Sequence, residues 1–190
     1  MTSKVVNFFF ELSQLWYNKH NGWKLAGVED PESIAEHVHR ASQIAYVLAM
    51  EEGANPEKTV LITLFHDNGE ARVLDAHRVA NRYLDTKAGE ANAALEQFDN
   101  LPKKAAEQIK KLYLEFEERK TLEAICAKDA DYLEQAVRAR EYMYRGYQDC
   151  QDWINNIKKA LKTETAKKWI EEIETANPNA WWYGLKKLPK

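Results

Sequence analysis

The chain has 190 residues, 45% of them hydrophobic and 30% charged, with a formal net charge of −3. That length suits one sizeable domain, and the charge lacks the strongly basic footprint of a protein whose main task is to hold a nucleic-acid polymer. Seven Gly and five Pro are too few for the many turns of a β-sandwich or barrel, so an all-α fold is expected, as one domain over residues 1–190.

Apolar residues at positions 5, 8, 9, 12, 15 and 16 fall on one helical face and predict a first helix. The patch over residues 5–10 lacks the cleavage site of a signal peptide, and no apolar run approaches the ~20 residues of a membrane helix. A cytoplasmic protein with no membrane partner is expected. Gly22, Gly27 and the Asp30-Pro31 step predict a loop over residues 18–30. Pro31-Glu32 is expected to open a second helix, with Ile34, Val38, Ala41, Ala45 and Leu48 turned inward, until Gly53 and Asn55-Pro56 stop it near residue 52.

Pro56 starts a third helix, and the uncharged stretch 60–65 predicts burial nearly all round. His66 and Asp67 follow at once. Beyond Asp75 the pattern predicts helices at 87–98, 102–118, 122–143, 149–162 and 164–176, then the Trp181-Trp182-Tyr183 tail. Cys126 and Cys150 are too few to staple a secreted scaffold and read as reduced thiols.

The His66-Asp67 pair carries the chemistry. A buried helix ending in an imidazole and a carboxylate must satisfy both groups, because unpaired burial costs several kcal/mol. A divalent cation satisfies both, and these residue types suit Mn, Fe, Co, Ni or Zn. Glu70 shares their face if the helix continues. For the dipeptide alone a hydrogen bond at a helix end is the better explanation, so its company decides. His37 lies on the second helix, and Asp129 and Asp131 lie in the Lys128-Asp129-Ala130-Asp131 segment, where only one of the two acids can face the site. His39 is off the His37 face and is expected to be exposed, and His20 and His77 read as peripheral. Trp153, Trp169, Trp181 and Trp182 read as packing or dimer-interface residues.

In this order, His37, His66-Asp67 and a later acid resemble the HD-domain metal-dependent phosphohydrolases. Gly22-Trp23, Gly27-Val28, Pro31-Glu32-Ser33, Glu36-His37, Glu70, Asp75 and Lys128-Asp129-Ala130-Asp131-Tyr132-Leu133-Glu134 resemble the 5′-deoxynucleotidase branch, over roughly residues 5–145. The C-terminal residues 146–190 fall outside that resemblance. It implies a helical HD fold and one divalent metal (Mn, Co, Ni, Fe, Zn or Mg) on His37, His66, Asp67 and Asp131. It further implies hydrolysis of deoxyribonucleoside 5′-monophosphates, a small-molecule nucleotide as partner and a homodimer. By the same resemblance Glu70 orients or deprotonates the attacking water, Asp75 acts near the sugar, and Trp23 packs beside the nucleotide.

Gly22 stands where bacterial members carry Arg, which leaves Lys24, Arg72 and Arg78 as candidate phosphate contacts. Leu74 stands where the branch usually has Gly. Two alternatives stay open: another nucleotide as substrate (a triphosphate or an alarmone), or a non-catalytic helical interaction protein with a structural metal. No Gly-Tyr-Pro signature follows the His66-Asp67 region, which disfavours cyclic dinucleotides.

Overall fold

Helix α8, Leu122–Tyr144, is the axis of the molecule. Ala124, Ala127, Ala130, Ala136 and Ala139 bury one after another along it. Small side chains at these positions let neighbouring helices approach closely. The computed structural model describes residues 3–185; residues 1–2 and 186–190, the ends of the expected 1–190 domain, lie outside them. Among the described residues the fold is helical with no strand, only an isolated antiparallel bridge between Lys19 and Ser33.

The first predicted helix is broken at Leu12–Ser13 into α1, Lys4–Glu11, and α2, Gln14–Tyr17. A short 3-10 turn over Asn21–Ala26 leads on to α3, Ile34–Glu52. That helix does not open at Pro31. Ser33 caps it instead, its side chain accepting from the Glu36 amide while the Glu36 carboxylate accepts from the Ser33 amide. Gly53 closes α3 at φ 73°, the left-handed cap expected of glycine.

Next comes α4, Pro56–Phe65. Burial all round does not hold there: Thr59, Ile62 and Thr63 are buried, but Leu61 and Leu64 are exposed. The uncharged run marks a helix with one apolar face packed and another open. The chain then turns through residues 66–69 into α5, Glu70–Val73, so the helix does not continue from His66 to Glu70.

Helix α6, Thr86–Phe98, crosses this turn so closely that a Cβ on Gly69 would lie 2.3 Å from the Glu90 carbonyl oxygen. Only glycine permits that approach. Helix α7, Lys103–Glu118, then α9, Gln151–Ala160, and α10, Glu164–Thr175, complete the frame. Helices α3, α4, α7, α9 and α10 all pack on α8. Cys126 and Cys150 are buried free thiols. No helix among the described residues is long and apolar enough to cross a membrane.

After α5, Leu74 takes φ 65° and ψ 163°, a region that glycine alone occupies freely. The next residue holds it there. The Asp75 carbonyl accepts from Asn21 Nδ2 at 3.0 Å, and Asp75 Oδ2 accepts from the Gly22 amide at 3.3 Å. The Leu74 side chain is 54% exposed and contributes little packing to offset the strain. Leu74→Gly is therefore expected to stabilise the protein by about 1 kcal/mol, being ~1–3 kcal/mol of strain relieved less ~0.5–1 kcal/mol of chain entropy. Urea unfolding followed by circular dichroism measures this, and a lowered midpoint would contradict it.

Candidate metal centre and its cavity

Four side chains from three helices converge. His37 sits one turn into α3, His66 caps the C-terminal end of α4 with Asp67 after it, and Asp131 lies mid-way along α8. His37 Nε2 is 3.2 Å from Asp131 Oδ1 and 3.7 Å from Asp67 Oδ2. His66 Nε2 is 3.1 Å from Asp67 Oδ2 and 4.0 Å from Asp131 Oδ1. Ligand atoms of His37, His66 and Asp67 all lie within 4.8 Å of one another.

The other nitrogen of each ring fixes which one faces inward. His66 Nδ1 lies 2.6 Å from the Thr63 carbonyl, which can only accept, so Nδ1 carries the proton and the Nε2 lone pair points at the cluster. His37 Nδ1 lies 2.5 Å from Glu134 Oε2, and both side chains are fully buried. Burial pushes the Glu134 carboxyl up, but His37 and Arg40 outweigh it and hold it below its ordinary range. As a carboxylate, Glu134 accepts the Nδ1 proton and leaves His37 Nε2 free.

That Nε2 is buried with no hydrogen-bond partner. A buried imidazole nitrogen without a hydrogen bond beside two carboxylates fits a divalent cation, and a second partner on each ring is the usual support of a metal-binding histidine. Burial disfavours charge on His37, yet Glu134 and Asp131 together hold its pKa well above the ordinary value. The two carboxylates that favour a proton there also attract a cation.

Asp129, the competing acid, faces the other way. It accepts from the Lys162 and Thr163 amides and the Thr163 hydroxyl, at 2.7–3.1 Å, and so ties down the approach to α10.

The cluster opens into a cavity of about 490 Å³ lined by His66, Asp67 and Asp131 and also by Glu70, Asp75 and Trp23. Glu70 Oε2 is buried with no partner. Burial, then the charges of Asp67, Asp75 and Glu90, push the Glu70 carboxyl well up. Glu90 on α6 faces the same space, and burial with Asp67 and Asp75 pushes it up to about 7. Trp23 is 1% exposed, stacks on Trp153 at 4.9 Å between ring centroids and donates from Nε1 to Glu32 at 3.3 Å.

Of the candidate phosphate contacts, Arg78 lines the cavity. Lys24 is exposed outside that lining, and Arg72 is turned away, paired with Glu11 and, at 3.2 Å, with Glu96. His39 is exposed as expected and meets Gln43. His20 and His77, read as peripheral, both line the cavity, and the His20 ring lies 4.6 Å from that of His37. Trp153, read as packing, lines it too while packing on Trp23.

Sequence reasoning missed Glu134, Lys128 and Glu90. The first two sit three residues either side of Asp131 on its helical face, a spacing that was there to use. Glu90 is brought in only by the crossing of α6 over Gly69, for which the sequence carries no local signal.

These features define a helical fold with a histidine–aspartate cation cluster at the floor of a cavity. The HD-domain family model matches residues 12–174, and the chain belongs to that family. The match runs through α9 and nearly all of α10, further than the 5–145 resemblance. The chain is 29% identical over 187 residues to the 5′-deoxynucleotidase hdd1 of Schizosaccharomyces pombe, covering 93% of this chain and 92% of that one. It is 32% identical over 154 residues to the 5′-deoxynucleotidase HDDC2 of Dictyostelium discoideum, covering 77% and 81%. Among solved structures, a conserved hypothetical protein from Pyrococcus furiosus superposes with a TM-score of 0.75 at 26% identity, covering 90% of this chain and 99% of that one. A predicted metal-dependent phosphohydrolase from Magnetospirillum magnetotacticum shares the fold, with a TM-score of 0.68 at 20% identity over 90% and 92%.

The two histidines are held unequally, His37 by a carboxylate and His66 by a carbonyl. Glu134→Gln is expected to weaken divalent-metal binding by about 10–100-fold with His66 unchanged. Calorimetric titration of the metal-free protein measures it, and an unaltered affinity would show that Glu134 does not support His37.

Proposed function

We infer that this chain is a metal-dependent 5′-deoxynucleotidase that releases phosphate from deoxyribonucleoside 5′-monophosphates. One observation carries the reading: the unpartnered carboxylate of Glu70 lines the same cavity as His66, Asp67 and Asp131 of the cluster and as Asp75. The nucleotidases that the chain resembles over most of its length point the same way.

One ion is proposed, of Mn, Co, Ni, Fe, Zn or Mg, since a donor set of two imidazoles and two carboxylates suits several. When bound it supplies Lewis acidity toward water and neutralises phosphate charge. The remaining work falls to side chains. Glu70 orients the attacking water and takes its proton as the water oxygen bonds to phosphorus. The bond from phosphorus to O5′ breaks, and Glu70 returns the proton it took from the water to O5′, which leaves as the nucleoside hydroxyl. Asp75, pinned to the Asn21–Gly22 turn, is placed to meet the sugar, and Trp23 with Trp153 walls the nucleotide side.

The test is phosphate release from matched deoxy- and ribonucleoside monophosphates, with each metal and after chelation. Release from the deoxy series, abolished by chelation and restored by metal, is expected; none under any metal would end the reading. Glu70→Gln is expected to lower kcat by about 10²–10⁴-fold while bound metal is retained. An unchanged kcat would favour a structural metal instead.

A further inference from the structure

Glu70, Asp75 and Glu90 line the cavity, and they repel a phosphomonoester dianion. Arg78, Lys87, Arg119 and Lys128 are the cations in the lining. Arg78 and Arg119 are exposed, and Lys87 is 74% exposed and paired with Glu117 at 3.0 Å. Lys128 differs. Its side chain is 19% exposed, and Nζ lies 2.6 Å from Asp131 Oδ2, on the same carboxylate whose Oδ1 meets His37. A single carboxylate separates this ammonium from the ligand cluster.

Two aromatic faces fix it, Phe116 at 5.3 Å and Tyr132 at 4.6 Å from Nζ to ring centroid. Phe116 also packs on the His66 ring, at 4.7 Å. Such a cage holds the position of a cation while adding no anion to cancel it. The charge balance needs that cation. Asp67 and Asp131 together neutralise a divalent ion, and Glu134 is matched by Arg40, whose Nε donates to it at 2.8 Å. Nothing in that set balances a phosphate dianion.

We propose that Lys128 is the phosphate-binding cation of this site, filling the role left open by Gly22, for which Lys24 and Arg72 lie outside the cavity lining and Arg78 is an exposed cation. Building on the nucleotidase reading above, Lys128 keeps one N–H on Asp131 and offers its others to a phosphoryl oxygen. This sets the substrate's direction: phosphate at the Phe116–Tyr132 side, sugar toward Asp75 and Glu90.

Two calorimetric titrations test it: orthophosphate into the metal-loaded protein, and metal into the metal-free protein. Lys128→Met is expected to weaken orthophosphate binding by about tenfold or more, and Lys128→Arg to keep most of it, with metal affinity unchanged in both. Lys128→Gln, which keeps a donor for Asp131 without the charge, replaces the Met variant if that one fails to fold, with the same expectation. Orthophosphate binding that survives loss of the charge would overturn the proposal. So would metal affinity falling by the same factor, since Lys128 would then act only by positioning Asp131. Failure of the nucleotidase reading looks different: the unaltered protein would release no phosphate from any deoxynucleotide while its orthophosphate affinity still depended on Lys128.

Discussion

The buried imidazole of His37 is the group on which the rest of the structure depends. It has no access to water, and each of its nitrogens meets a carboxylate, Glu134 at 2.5 Å on one side and Asp131 at 3.2 Å on the other. Both acids come from α8, so α3 and α8 must lie close and in one register, and the alanine stripe of α8 permits this. Burying three such groups is tolerable only if their charges are matched. Arg40 does so for Glu134, with its Nη2 2.6 Å from Oε1, and Lys128, 2.6 Å from Asp131, does so for that carboxylate until a cation in the cluster takes its place.

From Arg40 the pairing continues outward. Its Nη1 donates to Glu141 at 2.8 Å, Arg138 bridges Glu141 and Glu32, and Glu32 accepts from the Trp23 indole. The cavity wall and the inner ligand are thus joined by one run of alternating charges between α3 and α8. Around Glu70 the cavity is built differently. There carboxylates crowd together with few cations, because α5 and α6 touch at Gly69 and carry Glu70 and Glu90 into the same space.

Much of this was legible in the sequence. Helical period and caps located α3 and α6 to α10 within a few residues, and the resemblance to the HD-domain pattern, not the spacing alone, selected Asp131 to join His37 and His66-Asp67. What escaped depends on tertiary contact. Ser33 begins α3 because its hydroxyl and Glu36 cap each other, a local signal passed over for Pro31. Leu61 and Leu64 are exposed because α4 is covered on one side only, which no run of apolar letters reveals. That Leu74 stands where Gly is usual was legible, but what holds it in a glycine conformation, Asp75 anchored to a loop more than fifty residues earlier, was not. His20 reaches the cavity by the same loop, although its neighbours in sequence gave no sign of it.

The central claim is that His37, His66, Asp67 and Asp131 hold one divalent cation. An anomalous difference map from crystals grown with a transition-metal salt tests it most directly. The expected result is a single strong peak in contact with all four side chains, at about 2.0–2.2 Å from each donor atom. A cluster left without a peak, or an ion bound elsewhere in the cavity, would contradict it.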